Sequence, residues 1–164
     1  MAEKVGPLNG VRAVTCSTAQ AGTVPYMMMA DLGAEVIKVE VPGIGDGSRT
    51  AGELRGDISS FFETNNRGVK SITLNLKSEE GQKILHKLVE TADIFGQNFR
   101  PGAAEKNGFG YEELKKINPA LVYVSVSGYG QLGPHSDLPG TDAVGQALGG
   151  ISEAYAGQGE AMRT

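Results

Sequence analysis

The stretch from Val11 to Glu40 restricts the fold most. Val11–Cys16 is an apolar, β-branched run and reads as a strand. Ala19–Thr23 is a turn of small residues. Pro25 stands where the first turn of a helix tolerates it, Tyr26–Leu32 continues that helix, and Gly33 suits its C-terminal end. Glu35–Glu40 is a second strand, stopped by Pro42. Strand, helix and strand within about thirty residues form a βαβ unit, with parallel strands and a right-handed crossover.

The alternation continues downstream. Ser71–Leu76 puts Ile72, Leu74 and Leu76 on one side, as a strand does. Ser78 caps a helix with Glu79 and Glu80 in its first turn and Ile84, Leu85, Leu88, Val89 and Ala92 as its apolar face. Asp93–Gln97 is a short strand. Ala103–Lys106 and Tyr111–Ile117 are short helices ended by Gly108 and by Asn118-Pro119. Leu121–Ser127 is a fifth strand, and Asp142–Leu148 is a helix. Gly43–Asn66 reads as a long loop with a short helix near Ser59–Thr64, and Tyr155–Thr164 as polar and unpatterned. Five strands alternating with helices predict an α/β fold with a doubly wound, mostly parallel sheet.

Composition narrows the function. Glycine supplies 24 of 164 residues without a Gly-X-Y period, which points to many tight turns. The single Cys16 allows no disulfide within the chain and fits a reducing compartment. A net charge of −4 offers no general basic face for nucleic acid. The first ten residues carry Glu3, Lys4, Gly6 and Pro7 where a leader needs an apolar stretch. The charge-free run Ala13–Ala30 holds too many polar and turn residues for a membrane span. The expectation is a soluble cytoplasmic protein.

In such a sheet, ligands bind at the C-terminal ends of the strands. The loops there are Ser17–Thr23, Val41–Gly47, Asn98–Gly102 and Gly128–Gly140. Lys38, Lys77, Arg100 and Lys106 lie in or near them, either as an anion site or as solvated surface cations. No Gly-x-Gly-x-x-Gly follows the first strand, and no P-loop occurs, so a standard dinucleotide site is not expected. His86, expected on an exposed helix face, His135 and Cys16 show no metal-ligand spacing, and no metal is expected. Cys16 and Met27–Met29 read as core, and Asp142 as the acid that starts its helix.

Six ordered segments resemble the family III CoA-transferases, a group that includes formyl-CoA and carnitine CoA-transferases and the acyl-CoA racemases. Leu32–Glu40 is similar to the family's second-strand signature. Asn65–Ser71 and Leu74–Gly81 follow, then Ala92–Ile94, then Asn98–Gly102 with Gly108-Phe109. Val126–Gly130 with Gly133-Pro134 comes next, and Asp142 with Gln146 and Gly149-Gly150 closes the set. The resemblance runs from Gly6 to about Ile151. It implies a Rossmann-like large domain, a smaller second domain, and two chains interlinked as a homo- or hetero-dimer. Residues 1–151 correspond to the CoA-binding part of the large domain, and 152–164 to the start of the segment leading onward.

The resemblance also implies coenzyme A, or its acyl thioester, as ligand and a carboxylic acid as second substrate. The family's CoA pocket maps onto Ala19, Gln20, Val41, Leu74, Lys77, Asn98, Phe99, Arg100 and Lys106. Phe99 and Leu74 suit the apolar parts of CoA, and Lys77, Arg100 and Lys106 suit its phosphates. Gln20 falls where the family gathers groups around the reacting thioester. Val41 departs from relatives that carry arginine beside the adenine. The implied reaction is CoA transfer through an aspartyl-CoA thioester. The family's nucleophilic aspartate has no counterpart here and is expected downstream of Thr164, so the chain reads as an N-terminal piece, inactive alone. Thr141 stands where the racemase branch has histidine, which favours a transferase. The alternatives are a non-catalytic partner subunit, a racemase, or a plain phosphate-binding module.

Overall fold

One sheet of five parallel strands organises the first part of the chain. The computed structural model describes residues 6–156, which fall into two compact units divided between Val126 and Ser127. The first unit begins with β1 (Arg12–Thr15), α1 (Val24–Asp31) and β2 (Glu35–Glu40), so the expected βαβ unit is present. A 3₁₀ turn (Gly47–Thr50), β3 (Leu54–Arg55), β4 (Ile58–Ser59) and α2 (Ser60–Asn66) follow. β5 (Lys70–Thr73), α3 (Glu79–Val89), β6 (Ile94–Gln97), α4 (Ala103–Lys106), α5 (Tyr111–Ile117) and β7 (Val122–Ser125) complete it.

The strand order is β5-β2-β1-β6-β7, and every pairing in this sheet is parallel. The chain winds outward from β1 in one direction through β2 and β5, then in the other through β6 and β7. Alternation along the strands feeds two cores. Val14, Val39 and Phe95 pack with Leu85 and Val89 of α3 and Leu114 of α5. Ala13 and Val36 pack with Tyr26 and Ala30 of α1. Gly96 is glycine for space, because a Cβ there would overlap the Tyr26 hydroxyl.

Several sequence expectations need correction; Met28, read as core with Met27 and Met29, is exposed on α1. The stretch 43–66 is not a plain loop: it holds the 3₁₀ turn and the β3–β4 hairpin as well as the expected helix. Ile84 does not join the apolar face of α3 but is exposed, while Leu85 and Val89 are fully buried. His86 is half-buried, and its Nε2 meets the Gly108 carbonyl at 2.8 Å.

The second unit contains α6 (Asp142–Leu148) and α7 (Ile151–Ala156). Asp142 begins α6 as expected, and its carboxylate accepts from Gln146 Nε2 at 2.6 Å. Tyr155, read as part of an unpatterned tail, lies in α7, and residues 157–164 of that tail lie outside the described residues. Leu132, Leu148 and Tyr155 are largely exposed. No helix among the described residues is long and apolar enough to cross a membrane.

Ser78 caps α3 as its sequence context predicts: its hydroxyl accepts the Gly81 amide at 3.1 Å. Ser78→Ala should lower stability by about 1 kcal/mol. Urea unfolding checks this, and no change in midpoint would show that the cap is idle.

Candidate functional site

The order reversal between β1 and β6 leaves a crevice beyond their C-terminal ends. The loop after β1 is tied across it. Asn98, just past β6, accepts the Thr18 amide at 2.9 Å and donates to the Thr18 carbonyl at 2.8 Å. Gly22 lies against this clasp, and a Cβ there would sit 2.6 Å from Asn98 Nδ2 and 2.8 Å from Ser17 Cβ. The Thr15 hydroxyl accepts the Ser17 amide at 3.0 Å and donates to the Gly96 carbonyl at 3.1 Å.

The end of β2 carries a buried charge network. Lys38 and Glu40 share one face of the strand by period-two alternation. Lys38 is 1% exposed. Its ammonium pairs with Asp46 and donates to Asn66 Oδ1 at 2.8 Å. Asp46 also accepts the Ser48 amide at 2.9 Å, the Ser48 hydroxyl at 2.7 Å and the Ala19 amide at 3.3 Å. Glu40 takes both arms of Arg49, at 2.8 and 2.7 Å, with the Asp46 amide at 2.8 Å and the Ser71 hydroxyl at 2.5 Å. The Arg49 guanidinium lies over the Phe62 ring, 3.8 Å from its centroid.

Burial pulls Lys38 below the ordinary lysine value, against the opposing hold of Asp46. Burial raises the Asp46 and Glu40 carboxyls, but their donors outweigh it. Lys38 and Ser48 hold Asp46 below its usual value, and Arg49, Ser71 and the Asp46 amide hold Glu40 down at about 2. Lys38 is therefore neither a free anion ligand nor a solvated surface residue, the two roles its sequence position suggested.

A cavity of about 290 Å³ opens at this edge of the sheet. Cys16 and Thr18 line it from just past β1, Val39, Glu40 and Val41 from the end of β2 and just beyond, Leu74–Lys77 from the turn after β5, Phe99 from beyond β6, and Asn107 and Phe109 from the loop after α4. Phe99 is fixed by edge-to-face contact with Phe109 at 5.7 Å, and Phe109 in turn meets Phe95 at 6.2 Å. Burial pushes the Cys16 thiol up, so it forms an inert wall.

Four of the nine expected binding residues line the cavity: Val41, Leu74, Lys77 and Phe99. Leu74 is buried, and Val41 is 54% exposed at the mouth. Arg100 directly follows Phe99, and Lys106 directly precedes Asn107; both are exposed. Ala19 and Gln20 are exposed on the loop after β1. Asn98 directs its side chain at Thr18. Sequence reasoning missed Asp46, Glu40, Asn107 and Phe109. A usable signal existed for the acids: two charges on one face of a strand that is apolar on both sides must find partners, and Asp46 and Arg49 follow within reach.

Fold and cavity define a doubly wound α/β domain with a cleft at its strand ends. Its sequence is more specific: the chain belongs to CoA-transferase family III, whose profile matches residues 8–164. It is 44% identical over 153 residues to an acetyl-CoA:oxalate CoA-transferase of Acetobacter aceti, covering 93% of this chain and 39% of that one. It is 43% identical over 148 residues to the human succinyl-CoA:glutarate CoA-transferase, covering 90% of this chain and 34% of that one. A crystal structure of a CaiB/BaiF family protein from Brucella suis superposes with a TM-score of 0.90 at 37% identity, over 97% of this chain and 43% of that one. The chain thus spans well under half the length of these relatives.

Replacing Lys38 by methionine leaves Asp46 buried without its cation. Lys38→Met should lower stability by about 3–5 kcal/mol in urea unfolding. A loss under about 1 kcal/mol, the scale of an exposed pair, would show that solvent reaches it. The network also sets an acid limit. A carboxyl whose pKa falls on folding lends full stability above its unfolded value and loses it as pH falls through its folded value. For Glu40 that window runs from the ordinary 4.5 down to about 2. Wild type should weaken between pH 5 and pH 2 more steeply than Glu40→Gln, and parallel pH profiles would contradict this assignment.

Proposed function

We propose that this chain supplies the CoA-holding part of an enzyme that moves CoA from an acyl-CoA to a carboxylic acid. The observation that carries this is the strand-end cavity, which gathers Val41, Leu74, Lys77 and Phe99 in a chain of CoA-transferase family III. Its volume lies at the small end of ligand pockets, suited to one segment of a long ligand. Phe99 and Leu74 offer apolar faces. Lys77, Arg100 and Lys106 offer cations for phosphate oxygens at the rim. Ala19 and Gln20 stand at the loop nearest the sheet's switch point, where the thioester is placed.

In this proposal the nucleophile is an aspartate from outside the 164 residues. Its carboxylate attacks the acyl thioester, forming an anhydride and releasing CoA thiolate. The thiolate attacks the enzyme-side carbonyl, freeing the donor acid and leaving an aspartyl-CoA thioester. The acceptor carboxylate then repeats these steps in reverse. The chain alone binds CoA without turnover, and the working enzyme is a dimer in the cytoplasm. The relatives are named for oxalate and for glutarate at nearly equal identity, so overall likeness does not select the acid.

Titration calorimetry tests the binding step. CoA should bind in preference to ATP. Phe99→Ala should weaken CoA about tenfold, equivalent to about 1.4 kcal/mol. Lys77→Ala should weaken it less, with an effect that shrinks at high salt. Equal affinity for CoA and ATP, or an unchanged affinity in Phe99→Ala, would overturn the reading.

A further inference from the structure

Among the described residues, Ala19 is the one non-glycine residue with positive φ, at 58°. A side chain at such a backbone angle is disfavoured and persists only where the surroundings enforce it. Here three elements enforce it. The buried Asp46 carboxylate, from the loop after β2, accepts the Ala19 amide at 3.3 Å. The buried Thr23 hydroxyl, from the start of α1, donates to the Ala19 carbonyl. Asn98, beyond β6, holds both backbone groups of the preceding Thr18. Asp46 is itself fixed by Lys38 and Ser48. The exposed Gln20 follows directly.

We propose that Asp46 and Thr23 are positioning residues that force Ala19 into the left-handed conformation and so set the direction in which Gln20 leaves the sheet edge. The catalytic consequence rests on the CoA-transferase reading. Neither residue touches CoA in that reading; Asp46 acts through the Ala19 amide, and Thr23 through the Ala19 carbonyl and, at 3.4 Å, the Gln20 carbonyl. Released from the clasp, an alanine relaxes to an ordinary backbone angle and swings Gln20 away. A glycine at position 19 accepts the left-handed angle without enforcement.

The test uses the whole protein that carries this chain, with acetyl-CoA and succinyl-CoA as donors and oxalate and glutarate as acceptors. Thr23→Val leaves the buried ion pair intact. It should lower kcat roughly tenfold while KM for the acyl-CoA moves less than about threefold. Adding Ala19→Gly to Thr23→Val should restore kcat at least threefold, by roughly the share that backbone misdirection removed. A purely structural role for Thr23 predicts no such rescue. Asp46→Ala should show the same kcat loss and the same rescue; if it loses its fold, Thr23→Val decides. Hydrogen exchange of the Ser17–Thr23 segment is read in parallel and should quicken in each single variant. An unchanged exchange rate there, or no rescue by Ala19→Gly in an active enzyme, overturns the proposal. A wild type that neither binds CoA nor moves it among these substrates overturns the transferase reading instead, and the exchange result then decides the clasp alone.

Discussion

Two buried acids and the cations that neutralise them hold the C-terminal edge of this sheet together. Lys38 and Glu40 project from the end of an interior strand, where an unpaired charge is far more costly than one in water. Their partners, Asp46 and Arg49, arrive on the stretch that follows the strand. That stretch therefore cannot drift away from β2 without abandoning charges in the protein interior. The same carboxylate of Asp46 that satisfies Lys38 also reaches the Ala19 amide. One electrostatic requirement thus fixes two of the loops around the strand ends.

The remaining walls are set by packing rather than charge. Phe95 lies in the central sheet, Phe109 rests on it, and Phe99 rests on Phe109. This ladder of rings carries the rigidity of the core out to the cavity. Asn98 performs the equivalent task for the loop after β1 by bonding both faces of the Thr18 backbone. A flexible ligand loses freedom on binding, so a wall that is already ordered saves that loss on the protein side.

The sheet was legible because its signals are local. β2 occupies the span that its alternation and Pro42 indicate, and α5 and α6 begin and end where their flanking residues require. Ser78 caps α3 through the bond its position foretells. The misses share a different cause. The burial of Lys38 depends on Asp46 and Asn66, which are brought together only by the folded path of residues 43–66. The β3–β4 hairpin has two residues per strand, too few for periodicity to register. His86 finds the Gly108 carbonyl across a helix pair that no spacing along the chain reveals. At the site, resemblance marked the cavity residues Leu74, Lys77 and Phe99. The polar clasp that shapes the neighbouring loop is a product of tertiary contact.

The pairing of β1 with β6 has a consequence for how the chain comes to be folded. Thr15 and Gly96 meet across 81 residues of sequence, and β7 cannot be added on that side until this pairing exists. Contacts of such separation must close a long loop before they return any stabilisation, which slows folding. As the chain leaves the ribosome, β1 and β2 are made early, yet one whole flank of β1 stays unpaired until β6 has emerged. During that interval the apolar edge formed by Ala13 and Val14 is open to other strands. The nascent chain is therefore most exposed to aggregation between the completion of β2 and the emergence of β6.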